Sequence, residues 1–197
     1  MTKFSLAHKE IDKETATSLL GFWVYMMTDC ILFASLFAVF IVLKNNTAGG
    51  RNGAELFSLP FVLMQTLILL TSSFTSGLAM LAAQRSKIKD TFIWLGATGV
   101  LGASFLALEI NEFYKLDHSG SSWRTSGFLS SYFTLVGTHG LHITVGLLWL
   151  GGILVYMYKK GLNETSVKRL TMFSIFWHFL DVVWIFIFSV VYLLGVI

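Results

Sequence analysis

Charge, cysteine and proline are all scarce in this chain. Only 13% of its 197 residues are Asp, Glu, Lys or Arg, while 55% are hydrophobic. A soluble domain carries charge on about a quarter of its residues, so lipid must solvate much of this surface. The one cysteine, Cys30, excludes a disulfide framework and, lying in an apolar run, reads as a small buried hydrophobe. The one proline, Pro60, falls just after Ser58 in the first turn of an expected helix, where its missing N–H breaks nothing. No spanning helix should therefore carry a proline kink. Phosphate-binding glycine loops, a nucleophile elbow and a Cys-x-x-Cys pair are also missing, which removes the common catalytic signatures. Neither an internal repeat nor a domain boundary is visible, so residues 1–197 read as one helical domain.

What is present is apolar sequence in long runs. Five of them, near Leu19–Leu43, Leu59–Ala83, Thr91–Phe113, Phe128–Tyr158 and Leu170–Gly195, can each cross a hydrocarbon layer that needs about 20 helical residues. Backbone groups in lipid must be satisfied internally, so each run is expected to be a helix, in an all-α polytopic bundle. The first 18 residues are polar and the first run is too long for a signal-peptide core, so that run should stay in the membrane. A net charge of +3 would suit nucleic acid, but the cations flank apolar runs, which points to topology. Ten Lys and Arg lie in the N-terminal tail (Lys3, Lys9, Lys13) and in the second and fourth connections (Arg85, Lys87, Lys89; Lys159, Lys160, Lys168, Arg169). Four (Lys44, Arg51, Lys115, Arg124) lie on the other side, so the N-terminus is expected in the cytoplasm and the C-terminus outside, in the periplasm. The connections at Lys44–Gly53 and Tyr114–Gly127 read as polar loops. Gly99, Ala103 and Ala107 make a small-residue stripe suited to close helix packing.

Seven ionisable residues fall inside these runs: Asp29, Glu109, Glu112, His139, His142, His178 and Asp181. A charged group at the centre of a spanning helix costs roughly 2.5 to 3.5 kcal/mol on insertion scales, so these side chains should face protein. At 1.5 Å per residue, Asp29, His178 and Asp181 lie roughly 12 to 17 Å from the cytoplasmic end, and the others roughly 24 to 32 Å. His178 and Asp181 share a helix face and can pair with each other or with Ser and Thr groups; Glu109-x-x-Glu112 and His139-x-x-His142 can meet if the third and fourth helices are neighbours. Paired Glu and His could also bind iron or zinc. No Glu-x-x-His motif occurs, and the residues favour a structural polar network over a metal site, a haem site or a proton or substrate path.

Three stretches carry a resemblance. Gly21-Phe22-Trp23-Val24-Tyr25-Met26-Met27-Thr28-Asp29-Cys30-Ile31-Leu32-Phe33, then Thr138-His139-Gly140-Leu141-His142, then Phe176-Trp177-His178-Phe179-Leu180-Asp181-Val182-Val183-Trp184 resemble subunit III of the haem-copper oxidases, most nearly its cytochrome bo-type ubiquinol oxidase branch. The likeness runs from about Leu19 to Gly195. Asp29 matches an acidic position of that family, Glu112 the acid of its Glu-Tyr or Glu-Phe motif, and His139, His142, His178 and Asp181 its other polar positions. The resemblance implies a non-catalytic subunit of a proton-pumping terminal oxidase in the bacterial cytoplasmic (inner) membrane, without a catalytic, cofactor or metal site of its own. Haems and copper would belong to partner subunit I, subunits II and IV would complete the complex, and phospholipid would pack against the helices. Nucleic acid is not an expected partner. Five helices in place of seven favour the quinol branch. On the residues alone, a free-standing intramembrane metalloenzyme and a small transporter remain the alternatives.

Overall fold

The computed structural model describes residues 3–47, 59–118, 120 and 123–193, with side chains from Thr17 onward. Among these, every element is helical: α1 (Lys3–Leu43), α2 (Leu59–Gln84), α3 (Ile88–His118), α4 (Gly127–Lys160) and α5 (Glu164–Ile187), which continues as a π-helical turn at Phe188–Leu193. Each helix contains a segment long and apolar enough to cross a bilayer; in α1 it is Thr17–Leu43. The helices outrun the expected bounds at several ends, α5 starting at Glu164 where Leu170 was expected. Backbone helix reaches back through the polar tail to Lys3, because nothing between Lys3 and Leu19 breaks a helix. At the other end of the third span, α3 runs through Tyr114 and Lys115 to His118, which shortens the expected loop. Most of the loop expected over Lys44–Gly53, and the end of the last run beyond Leu193, lie outside the described residues.

Helix ends are set by ordinary capping chemistry. Pro60 sits in the first turn of α2. The Ser126 hydroxyl accepts a hydrogen bond from Leu129 N at 3.2 Å to start α4, and Asn163 Oδ1 accepts from Ser166 N at 2.8 Å to start α5. Gly161, at φ 71°, closes α4 with its N–H on the Met157 carbonyl at 2.8 Å. That left-handed conformation suits glycine and stops the helix within one residue. Residues 85–87 and 161–163 are the whole of two connections, so α2 with α3 and α4 with α5 form antiparallel hairpins.

Contacts divide the chain into residues 1–35 and 36–197. In the first unit, Met26, Asp29 and Phe33 are buried along one face, while Leu20, Val24, Met27 and Ile31 are exposed. Cys30 is exposed too, contrary to its expected burial, because it follows Asp29 onto the outer side of the helix. In the second unit, α2 packs on α3, α3 on α4, α4 on α5 and α5 on α2, which closes a four-helix ring.

The ring is filled by aromatic side chains. Trp177 is 1% exposed and its indole slots between two glycines: a Cβ on Gly102 would stand 2.8 Å from it, and one on Gly146 3.0 Å. Its Nε1 donates to Ser72 Oγ at 3.0 Å, so this one residue of α5 touches α2, α3 and α4. The expected stripe is only partly used. Gly99 lies 3.2 Å (at its would-be Cβ) from Leu150, but Ala103 and Ala107 are exposed, and the close approach occurs one face over at Gly102.

Candidate functional site

Two tryptophans organise the polar residues. Trp184 lies two turns beyond Trp177 on α5 and repeats its role. Its Nε1 donates to Thr66 Oγ1 on α2 at 3.0 Å, its ring meets Phe105 of α3 edge-on at 4.7 Å, and it stacks on the His139 imidazole of α4 at 5.3 Å and 28°. His139 is completely buried there, with Phe105 set against it at 88°. An imidazole held between two aromatic rings is packed as a flat core residue. Its neighbour His142 is only half-buried and places Nδ1 2.8 Å from the Thr138 carbonyl one turn earlier.

Toward α5's middle lies the first polar group. Asp181, 6% exposed, accepts a hydrogen bond from the Ser73 hydroxyl of α2, and the same oxygen, Oδ2, is 3.6 Å from His178 Nδ1. The other oxygen, Oδ1, is buried without a partner. His178 itself is half exposed, with 50% of its side-chain surface open. The pair is thus tied to α2 through Asp181 and open to the outside through His178.

A second group lies beyond Trp184. Glu109 of α3 is 1% exposed and both its carboxylate oxygens lack a hydrogen-bond partner. Glu112, one turn on, has the Gln65 amide of α2 as its polar neighbour, although neither Gln65 atom reaches full hydrogen-bond geometry. Both carboxylates lie within electrostatic range of Tyr132 and Tyr192, whose hydroxyls hydrogen-bond to each other at 2.9 Å. That bond joins α4 to the π-helical turn. Glu112 thus has Gln65 and Lys115 as polar neighbours and Glu109 has Glu112, with the tyrosines at electrostatic range, while His139 packs on Trp184 and Phe105 and His142 meets the Thr138 carbonyl.

Asp29 is buried in the first unit, where the Tyr25 hydroxyl one turn earlier is hydrogen-bonded to it. Ser73, Gln65, Thr66, Tyr132 and Tyr192 were not among the residues singled out from the sequence. A usable signal existed on α2, whose Ser72, Ser73, Thr75 and Ser76 are all buried in a span that otherwise reads as apolar. Buried hydroxyls of this kind join helices where lipid gives no hydrophobic drive. Thr75 and Thr98 make one such link from α2 to α3, at 2.8 Å. Among the described residues, no group of three or more His, Cys, Asp or Glu side chains is arranged to hold a metal ion. Chemically, this constellation connects helices.

The family model described as "Cytochrome c oxidase subunit III" matches residues 7–196. The chain is 49% identical over 188 residues to "Cytochrome bo(3) ubiquinol oxidase subunit 3" of Pseudomonas aeruginosa, covering 95% of this chain and 90% of that one. It is 46% identical to "Quinol oxidase subunit 3" of Bacillus subtilis, covering 97% of this chain and 94% of that one. A "Cytochrome c oxidase subunit 3" from Bacillus sp. PS3 is also 46% identical, covering 93% of this chain and 89% of that one, so length alone does not separate the two electron donors. With a match over nearly its whole length and relatives near half identity, the chain belongs to the cytochrome c oxidase subunit III family.

Proposed function

We infer that this chain is the non-catalytic third subunit of a terminal quinol oxidase, which oxidises ubiquinol, reduces oxygen to water and pumps protons in an aerobic respiratory chain. Family membership and relatives named as quinol oxidase subunit 3 support the assignment. The observation that carries the role is where the polar groups go. Asp181 is bonded to Ser73, Trp177 to Ser72, Trp184 to Thr66 and Tyr132 to Tyr192, so they are used to join helices and do not converge on an open site. Such a chain stabilises a partner and packs lipid around it; it does not transform a substrate.

On this reading the haems and copper reside in subunit I, subunits II and IV complete the assembly, and phospholipid fills the gaps between helices. The seven ionisable residues serve as a structural network, with His178 at its open edge. The chain crosses the cytoplasmic membrane of a bacterium five times, N-terminus inside, as its Lys and Arg distribution supports.

Purification of the tagged chain from native membranes in mild detergent tests the proposal. A haem-bearing large subunit should co-migrate in equal amount, and the preparation should oxidise ubiquinol with oxygen uptake. A chain that migrates alone and carries stoichiometric iron or zinc would favour the metalloenzyme, and one that accumulates a solute in vesicles without partners would favour the transporter.

A further inference from the structure

Five buried polar atoms gather between α2 and α3, at the end of the ring away from its two short connections. They are Nε2 and Oε1 of Gln65, both carboxylate oxygens of Glu109 and Oε2 of Glu112, and none meets a protein group in full hydrogen-bond geometry. Gln65 is 0% exposed and Glu109 1%. The three side chains are neighbours, since Glu112 lies one turn from Glu109 on α3 and has the Gln65 amide beside it. Elsewhere such atoms are scattered, as with Ser76 Oγ and Asp181 Oδ1.

Amide and carboxyl groups shut away without partners are strongly unfavourable, so native proteins meet them with protein groups or with ordered water. Nearby protein groups are already engaged. The Thr66 hydroxyl, next to Gln65, serves Trp184 Nε1 and the Val62 carbonyl, and the Tyr132 and Tyr192 hydroxyls bond to each other. Phe105, one turn before Glu109, meets Trp184 edge-on and gives the enclosure an apolar floor. On the opposite side Glu112 is only half-buried, and the exposed Lys115 lies over the Phe61 ring of α2 at 5.8 Å. The enclosure therefore reaches the surface past Glu112.

The atoms themselves say what fits. Gln65 offers both a donor and an acceptor, and the carboxylates add acceptors, so the occupant must give and take hydrogen bonds. A metal ion would leave Gln65 Nε2 unmet, and among the described residues no group of three His, Cys, Asp or Glu is arranged for one. Water does both. A buried water makes about three hydrogen bonds, so about two molecules serve all five atoms.

We propose that Gln65, Glu109 and Glu112 hold an ordered pair of waters that bridges α2 to α3 and is filled from the surface past Glu112 and Lys115. The site goes beyond the subunit assignment and does not depend on it, because it needs only the ring. It gives Glu109 a role: a buried acid that ties two helices through solvent, where Thr75 and Thr98 tie the same two directly.

Two readouts on the intact native complex test this. A cryo-EM map that resolves ordered solvent should show density linking Gln65 to Glu109, unchanged after treatment with EDTA. Radiolytic hydroxyl-radical labelling, which reaches buried groups that touch bound water, should oxidise the Glu109 side chain and spare Trp177, which is equally buried and intrinsically more reactive. Gln65→Leu removes the anchor on α2 and should abolish both signals. Glu109→Gln keeps a donor and an acceptor and should retain the density. Direct contact of the amide with the carboxyl, loss of the density in EDTA or in Glu109→Gln, labelling of Glu109 no greater than that of Trp177, or no effect of Gln65→Leu would each overturn the proposal. Should Gln65→Leu fail to assemble, the wild-type map and Glu109→Gln still decide. Subunit composition and haem content are read on the same sample, so failure of the oxidase assignment is distinguished from failure of the water site.

Discussion

Asp181 does most of its work with one oxygen. Ser73 and His178 both meet Oδ2, while Oδ1 is buried without a partner. For a fully buried pair, deleting one member costs about 3 to 5 kcal/mol. Half of the His178 side chain is open, so its charge is not fully desolvated, and the expected cost of Asp181→Ala falls toward that of orphaned buried hydrogen bonds, about 1 to 3 kcal/mol. Ser73→Ala should cost less than Asp181→Ala, because His178 still faces the carboxylate. Thermal melting of the detergent-solubilised complex checks the order, and an unchanged midpoint in Asp181→Ala would show that the pair contributes nothing. The His178–Asp181 contact was legible in the sequence, since a spacing of i, i+3 fixes a shared face. Ser73 was not, because it lies 108 residues away on another helix. The same limit applies to Tyr132 and Tyr192, 60 residues apart, whose pairing depends on how two helices are rotated against each other.

At the scale of a helix, packing is decided by where α5 places its indoles. Trp177 fits only because positions 102 and 146 lack side chains. A methyl at Gly102 would stand 2.8 Å from Trp177 Cη2 and Cζ2, and a buried indole bonded to Ser72 cannot retreat without breaking that bond. Gly102→Ala is therefore expected to cost about 1 to 3 kcal/mol, the usual range for overpacking a filled core. Gly96→Ala has open space around it and should be close to neutral, which makes it the control. Paired unfolding curves would separate the two; equal melting points would mean that the ring opens to accept the extra methyl. The small residues of α3 announced a close contact in the sequence, but not which of them makes it. Gly99, Ala103 and Ala107 fit the i, i+4 pattern, and Gly102 was chosen by the tryptophan opposite, which α3's own sequence does not contain. In the Trp177–Trp184 stretch, the ionisable pair drew attention because charge is rare in lipid. The two tryptophans at its ends prove to be the residues that reach all the other helices of the ring.

For the molecule as a whole, the five crossings were readable because hydropathy over some 20 residues is a one-dimensional property of the chain. The hairpins were not, because the apolar runs left wider gaps than the three-residue connections that the structure shows. The α2–α5 contact that closes the ring was not readable, since those helices are neighbours only in space. The proposed orientation rests on the cation count and has a direct check. In a Cys30→Ala background, Ser86→Cys should react with a membrane-impermeant thiol reagent only when the cytoplasmic face is accessible, and Arg124→Cys only from outside. The reverse pattern would invert the assigned topology.

The π-helical turn gives the last crossing a property that its length does not reveal. Over eight residues an α-helix would carry Tyr192 about 80° around the axis from Trp184. Hydrogen bonds spaced i to i+5 make a wider turn that takes up this angle, and the two rings come within 6.2 Å. Residues 188–193 thus act as a phase adjuster, setting the compass bearing of a terminal side chain while the bilayer path stays almost the same. Adding or removing a residue there would change the partner of Tyr132 before it disturbed any face of the ring.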